Sequence, residues 1–174
     1  MDRKDRFIIS NQLKILEALY PEEASSYAQA RTAFEEGYES HYDWAMEHIS
    51  QDPLTPDMTK EVIDTLDMFR AIYFYTRKHG EDGFSEYDTK FRGYDGNDPT
   101  ECKLLGYARY FVVELGRFSE ILEKQGEHFD FNSHMEMRGK YQRMLRVWRP
   151  IPGGVQEGQR HNLTKQQLES IINA

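Results

Sequence analysis

The sequence predicts an all-α, multihelical protein, and three observations carry that prediction. Apolar residues recur at three- and four-residue spacing through most of the 174 residues, which places them on one face of a helix turning by about 100° per residue. The punctuation between these runs is that of helix ends: Ser, Thr or Asp before a run, Gly or Pro after it. No segment alternates apolar and polar residues well enough to form a convincing strand. Hydrophobic residues are only 39% of the chain but rings are 13%, so the core is expected to rest on aromatic side chains. Charged residues, 30% of the chain and mixed in sign, suit solvated outer helix faces.

The first helix is expected from Arg6 to Tyr20, with Ile9, Leu13, Leu16 and Tyr20 as its stripe and Ile8, Ile15 and Leu19 widening it. Pro21 ends it. Ser25 or Ser26 caps a second helix carrying Tyr27, Ala30 and Phe34, which weakens at Gly37. A third segment, Tyr38 to Ile49, sets Tyr42, Ala45 and Ile49 on one side with Trp44 beside them. Residues 1–52 therefore form a small N-terminal helical unit, expected to pack on the main body.

Residues 53–150 form that body, a bundle with two long central helices. Thr55 before Pro56 starts the first, because proline suits the opening position of a helix. It runs to about His79, where Gly80 stops it, along a seam of Val62, Leu66, Phe69, Tyr73 and Thr76. Residues 80–98 are a long connection with four glycines, a length that in compact domains marks a functional or mobile loop. Phe84, Tyr87, Phe91 and Tyr94 pin its second half to the body. Asp98-Pro99-Thr100-Glu101 then opens the second long helix: Asp98 caps it and Glu101 reaches back to the cap backbone. This helix is expected to reach about Lys124 along Leu104, Ala108, Phe111, Leu115, Phe118 and Leu122. The next starts near Asn132 or Ser133 and ends before Pro150, burying Met137, Tyr141, Met144, Leu145 and Trp148.

Residues 151–174 are a flexible linker, Ile151 to Asn162, followed by a short docking helix. Thr164 and Gln167 make a capping box, Leu163 staples to Leu168, and Leu168, Ile171 and Ile172 form the stripe. A helix this short cannot stand alone; it docks on its own body or on another subunit.

Composition restricts function more than it assigns it. The net charge of −8 handicaps binding to nucleic acid, which draws affinity from phosphate neutralisation. The single cysteine, Cys102, excludes an internal disulfide framework. The N-terminus lacks an apolar run of signal-peptide length, and no segment approaches the ~18 apolar residues of a membrane span. A cytoplasmic location with no membrane partner is expected.

The central helix around residue 110 is the best place to seek a contact surface. Opposite its seam stand Gly106, Val113 and Gly116, flanked by Arg109, Tyr110 and Arg117. Interior glycines cost up to ~1 kcal/mol each against alanine, so two of them suggest close approach by another backbone or a ligand. Gly106, Val113, Gly116, Leu168, Ile171 and Ile172 are thus interface candidates, and Arg109, Tyr110, Arg117 and Tyr94 binding candidates, the arginines suited to carboxylates, phosphates or helix C-terminal carbonyls. Arginines beside a tight helix crossing also pair ordinarily with acidic neighbours, of which this chain has 30. A basic face of Arg138, Arg143, Arg146 and Arg149 on the penultimate helix is a solvated face, or else meets an acidic protein partner or a nucleic-acid backbone.

Motifs for chemistry are absent from the sequence. There is no H-E-x-x-H or Glu-x-x-His pair, and His41 with His48, or His128 with His134, have the spacing of surface or packed residues; neither a metal nor a cofactor is expected. Cys102 sits where helix amides lower a thiol pKa but Asp98 and Glu101 oppose that, so it is expected to be a partly buried thiol without a role. No G-x-S-x-G, P-loop or G-x-G-x-x-G is present. No arginine precedes a histidine by four to six residues, the spacing of helical RNases of the HEPN type. The glycine loop before Asp98 resembles a phosphate cradle, but Asp95, Asp98 and Glu101 would repel phosphate there.

Several longer motifs carry a family resemblance: Phe91-x-Gly93-Tyr94-Asp95, Glu101, Leu105-Gly106-Tyr107-x-Arg109-Tyr110, Gly116-Arg117-Phe118, and Lys140 through Leu145 followed by Val147-Trp148. With Ser10-Asn11-Gln12, Lys14 and the closing Ile171-Ile172-Asn173-Ala174, the chain resembles the YfbU family of small bacterial proteins over nearly its whole length. The segment from His79 to Thr89 and the linker after Trp148 are longer here than in that family's pattern. The resemblance implies a helical hairpin with a larger helical part, self-association and a bacterial cytoplasmic setting, and offers no established catalytic residue to carry over. The expectation is a non-enzymatic, self-associating interaction or regulatory protein. The alternatives are a small-molecule or anion-binding regulator using Arg109, Tyr110 and Arg117, and nucleic-acid binding through the basic face.

Overall fold

The computed structural model describes residues 1–126, 128–151 and 162–174. Among them there is no strand; one isolated parallel bridge joins Tyr94 to Asn132. No helix among the described residues is long and apolar enough to cross a membrane. The chain divides into two compact units, Met1–Pro53 and Leu54–Ala174.

The first unit is a helical hairpin with a 3-10 segment. Helix α1 spans Arg3–Leu19, begun by a reciprocal capping box between Asp2 and Asp5. After a 3-10 turn at Pro21–Glu23, α2 runs over Ala24–Glu36 and ends at Gly37 in the left-handed conformation. Ser25 and Ser26 do not cap it: α2 begins at Ala24, with Glu23 at the cap position making no side-chain bond, so both serines lie in its first turn. The expected third helix is a 3-10 segment, Glu39–Met46. It buries Tyr42, stacked on Phe34 with ring centroids 4.6 Å apart, but leaves Trp44 and Ile49 exposed. At three residues per turn Tyr42 and Ala45 still share a side, but Trp44 is turned off it and Ile49 lies beyond the end of the segment, so the α-helical grouping fails.

The second unit is built around α3, Pro56–His79, which starts at Thr55, whose hydroxyl accepts from the Met58 amide. Val62, Leu66, Phe69 and Thr76 of its seam are buried, and so are Thr65, Met68, Ala71, Ile72 and Tyr75. A helix buried on that much of its circumference lies among other elements, and α3 packs on the first four of the helices defined next. These are α4 (Glu86–Thr89), α5 (Pro99–Arg109), α6 (Ser119–Gln125), α7 (Arg138–Trp148) and α8 (Lys165–Ile172).

The second long central helix is not continuous. α5 ends at Arg109 and a π turn follows at Tyr110–Glu114, where the Leu115 amide donates to the Tyr110 carbonyl. The chain then breaks at Gly116 (φ +62°) and Phe118 (φ +54°) before α6 begins. A π turn carries an extra residue and rotates the following face by about 100°. The buried row is accordingly Leu104, Ala108, Val112, Phe118 and Ile121, with Phe111 and Leu122 only partly covered and Leu115 exposed. α7 starts at Arg138 rather than near Asn132, because residues 128–137 form an irregular segment, left-handed at Phe131 and His134, that pairs with the chain at Tyr94. Its expected buried row, Met137, Tyr141, Met144, Leu145 and Trp148, is buried throughout.

Thr164 and Gln167 form the expected capping box on α8. Leu163, Leu168 and Ile171 are buried in the core of their own unit, where α8 lies against α7. The short helix thus docks on its own body. The linker expected over 151–162 lies almost wholly outside the described residues.

Candidate functional site

The glycine-rich segment before α5 is a latch. Tyr94 donates its amide to the Phe131 carbonyl (3.0 Å) and accepts from the Ser133 amide (3.0 Å). The Gly96 amide donates to the Asn132 side chain at 3.0 Å. Gly93 holds φ +86°, and a Cβ there would lie 1.9 Å from the Phe131 carbonyl oxygen. Glycine is required at 93 because two backbones touch, not because a ligand approaches. Glu101 secures the other end. Its buried carboxylate accepts from the amides of Asp95 (2.8 Å), Met137 (3.0 Å) and Arg138 (2.6 Å). It therefore caps α7 across the fold instead of reaching back to its own helix start, and charge-assisted bonds of this kind are the strong ones.

Tyr94 belongs to that latch and not to a binding surface. It is fully buried, in edge contact with Phe91 and Tyr141. Its hydroxyl has no hydrogen bond of ordinary geometry, and burial raises its pKa, offset in part by the neighbouring Thr65 hydroxyl. Tyr141 is raised by burial as well, and its hydroxyl accepts from the Arg92 amide at 2.9 Å.

The other predicted binding residues sit around the π turn, a deformation often found at functional sites. Arg109 and Val113 form one wall of an open groove of about 550 Å³, with Leu122, Glu123 and Gly126 of the α6 end and Phe129 and Phe131 completing it. Phe129 and Phe131 pack with centroids 4.5 Å apart. Glu123 accepts from the Tyr73 hydroxyl at 2.7 Å, whereas the Arg109 guanidinium has no partner among the described residues. Tyr110 and Arg117 are exposed and do not line the groove. Nothing lies within 4 Å of a Cβ built on Gly106 or Gly116, and Val113 is 50% exposed. The glycine face is thus open surface within the chain, and Gly116 serves the backbone break rather than a helix crossing.

The basic face of α7 is largely neutralised from α3. Arg138 makes a two-pronged pair with Glu61 (2.8 and 3.0 Å), and Arg149 meets Asp64 at 2.8 Å. Arg143 donates to the Ala174 main-chain oxygen, and Arg146 to the Gln142 carbonyl. Among the interface candidates, Leu168 and Ile171 are spent in the chain's own core and Ile172 is partly buried beside them. Cys102 is exposed, not partly buried as expected, because it lies on the α5 face opposite Leu104 and Ala108. Among the described residues no group of three or more His, Cys, Asp or Glu could hold a metal ion.

Two features go beyond what residue spacing shows. Lys124 is enclosed between α3 and the 80–98 segment, bonding Thr76 (2.9 Å), Thr89 (3.2 Å) and Glu81 (3.2 Å). Burial lowers its pKa, with Glu81 opposing. With Asp82, which bonds Tyr75 and Lys165, and Asp88, which bonds Lys140, it ties the long connection down. No spacing rule could have announced the contacts of Lys124, of Asp82 with Lys165 or of Asp88 with Lys140, which span tens of residues. The second feature is on α1. Ile9, Leu13 and Leu16 turn towards α2, but Phe7 (67% exposed), Ile8, Ile15 and Leu19 (65%) do not. At 100° per residue these four fall in an arc of about 120°, so α1 carries a second apolar face. The broad stripe seen in the sequence was two faces merged. The family model described as the YfbU domain matches residues 1–174.

Proposed function

The chain belongs to the YfbU family, and we propose that it works by self-association, as an interaction or regulatory protein with no bond-making chemistry of its own. The second apolar face of α1 supports this. An amphipathic helix needs one apolar stripe to pack, and the first unit leaves Phe7, Ile8, Ile15 and Leu19 uncovered while burying few side chains of its own. Exposed apolar side chains gathered on one side of a surface helix mark an interaction surface. The family resemblance and the single cysteine accord with a bacterial cytoplasmic setting. Light scattering at tens of micromolar tests the reading: a mass above the 20.6 kDa of one chain is expected, and Phe7→Ser with Leu19→Ser should reduce it to one chain. A strictly monomeric wild type would overturn it.

One observation favours a second reading. The Arg109 guanidinium, without a partner among the described residues, lines a groove with Leu122, Phe129, Phe131 and a Glu123 carboxylate that already accepts from Tyr73, which suits a small molecule with an aromatic or branched apolar body and a carboxylate. A thermal-shift series with such carboxylates should show stabilisation that Arg109→Ala removes. No shift, or one that survives the substitution, would sink this reading.

A further inference from the structure

The α1 face alone is a modest interface. Its four side chains are already partly covered, so burying the rest removes too little apolar surface from water to meet the cost of association with a margin. Something else must contribute, and the same unit supplies it. Residues 38–53 carry carboxylates at Glu39, Asp43, Glu47 and Asp52 and no Lys or Arg. Among them Tyr38 and Trp44 (70%), both in ring contact with His41, and Ile49 are exposed, apolar side chains in an acidic frame. α1 has the opposite frame: Arg3, Lys4, Arg6 and Lys14 against Asp5 and Glu17. Glu17 is engaged by Arg31, and Asp5 by the Asp2 amide. On the helical wheel Lys4 falls inside the exposed arc, with Arg3 and Lys14 along its Phe7 edge. Arg3, Lys4 and Lys14 are exposed and without an ion pair among the described residues, as are Glu39, Asp43 and Glu47. α2 packs against both α1 and the 3-10 segment, so the basic and acidic apolar surfaces belong to one small body.

We propose that the two surfaces are each other's partners across two copies of the chain: α1 of one copy docks on residues 38–49 of the second, and the second copy's α1 docks reciprocally. This rests on the self-association reading above and specifies its interface. A two-fold arrangement makes the contact twice and closes on itself. Opposed charges set the register and exclude pairing of like surfaces. The alternative of α1 against α1 would bring basic rims together.

Two charge-reversed full-length variants test this, because both change exposed, unpaired side chains. The first is Lys4→Glu with Lys14→Glu; the second is Asp43→Lys with Glu47→Lys. Each alone should run as a single chain by light scattering at a concentration where wild type associates, with wild-type helicity by circular dichroism. Mixed in equal amounts they should regain the wild-type mass, because the mixed pair restores opposite charge at both contacts. If either variant alone keeps the wild-type mass, or if the folded mixture stays monomeric, the reciprocal interface is wrong while self-association stands. A monomeric wild type leaves these faces to an unlike partner and overturns both.

Discussion

An alanine at position 93 would have to enter backbone at φ +86° with its Cβ 1.9 Å from the Phe131 carbonyl oxygen. The strain and the broken Tyr94–Phe131 contact should together cost about 2–4 kcal/mol, measurable as a shift in the urea midpoint. Glu101→Gln keeps the size of the side chain but turns an amide NH2 towards the main-chain donors it now satisfies, and should cost about 2–3 kcal/mol. Asp82 gives a pH signature. The Tyr75 hydroxyl and then the Lys165 ammonium hold its carboxyl below the ordinary value of about 3.8. The ionised form is therefore favoured in the folded state, so its stabilisation is complete above that value and is lost as pH falls through and below it. Asp82→Asn should lower the thermal midpoint at pH 7, and the difference from wild type should shrink by pH 3.

The two glycines of the central segment look alike in sequence and differ in their elements. Gly106 lies in the body of α5 with open space where a Cβ would stand, so Gly106→Ala should stabilise by about 0.5–1 kcal/mol. Gly116 is left-handed at φ +62°, so Gly116→Ala should destabilise by about 1 kcal/mol although its Cβ meets nothing. Opposite signs in chemical denaturation are the expected outcome, and equal effects would mean that the helix runs on through residue 116. Phe118 also adopts a left-handed conformation. It is held there by burial beside Phe111 and by the Arg70 guanidinium, 3.8 Å above its ring and paired with Glu120. This tertiary clamp overrides a seam that helical periodicity alone would carry straight through to Leu122.

For the molecule as a whole, surfaces that stabilise each unit and surfaces available for association are different residues. Leu168 is fully buried against its own unit's core. Leu168→Ala should cost about 2–5 kcal/mol through the cavity it leaves and leave the mass of the folded protein unchanged. Phe7→Ser should do the reverse, changing the mass with little effect on the thermal midpoint of a diluted sample. If Leu168→Ala abolished association in a sample shown to be folded, the tail rather than α1 would be the contact.

Local spacing and capping residues are enough to set the helical class, the start of α3 at Thr55, the start of α5 at Asp98, the capping box at Thr164, and most of the core of α3 and α7. Each depends on neighbours within about one turn, or on a repeat that every turn confirms. The sequence also marks the Gly93–Glu101 motif and the residues around Arg109. What they do depends on packing between distant segments. Gly93 and Glu101 meet the 131–138 segment more than thirty residues away, Tyr94 is buried there, and Arg109 alone among the binding candidates faces the groove. Likewise, α1 shows in sequence a single broad apolar stripe, and packing against α2 divides it into a covered face and an open one. Periodicity records which side chains are apolar; what covers them is a property of contacts between elements distant in the chain.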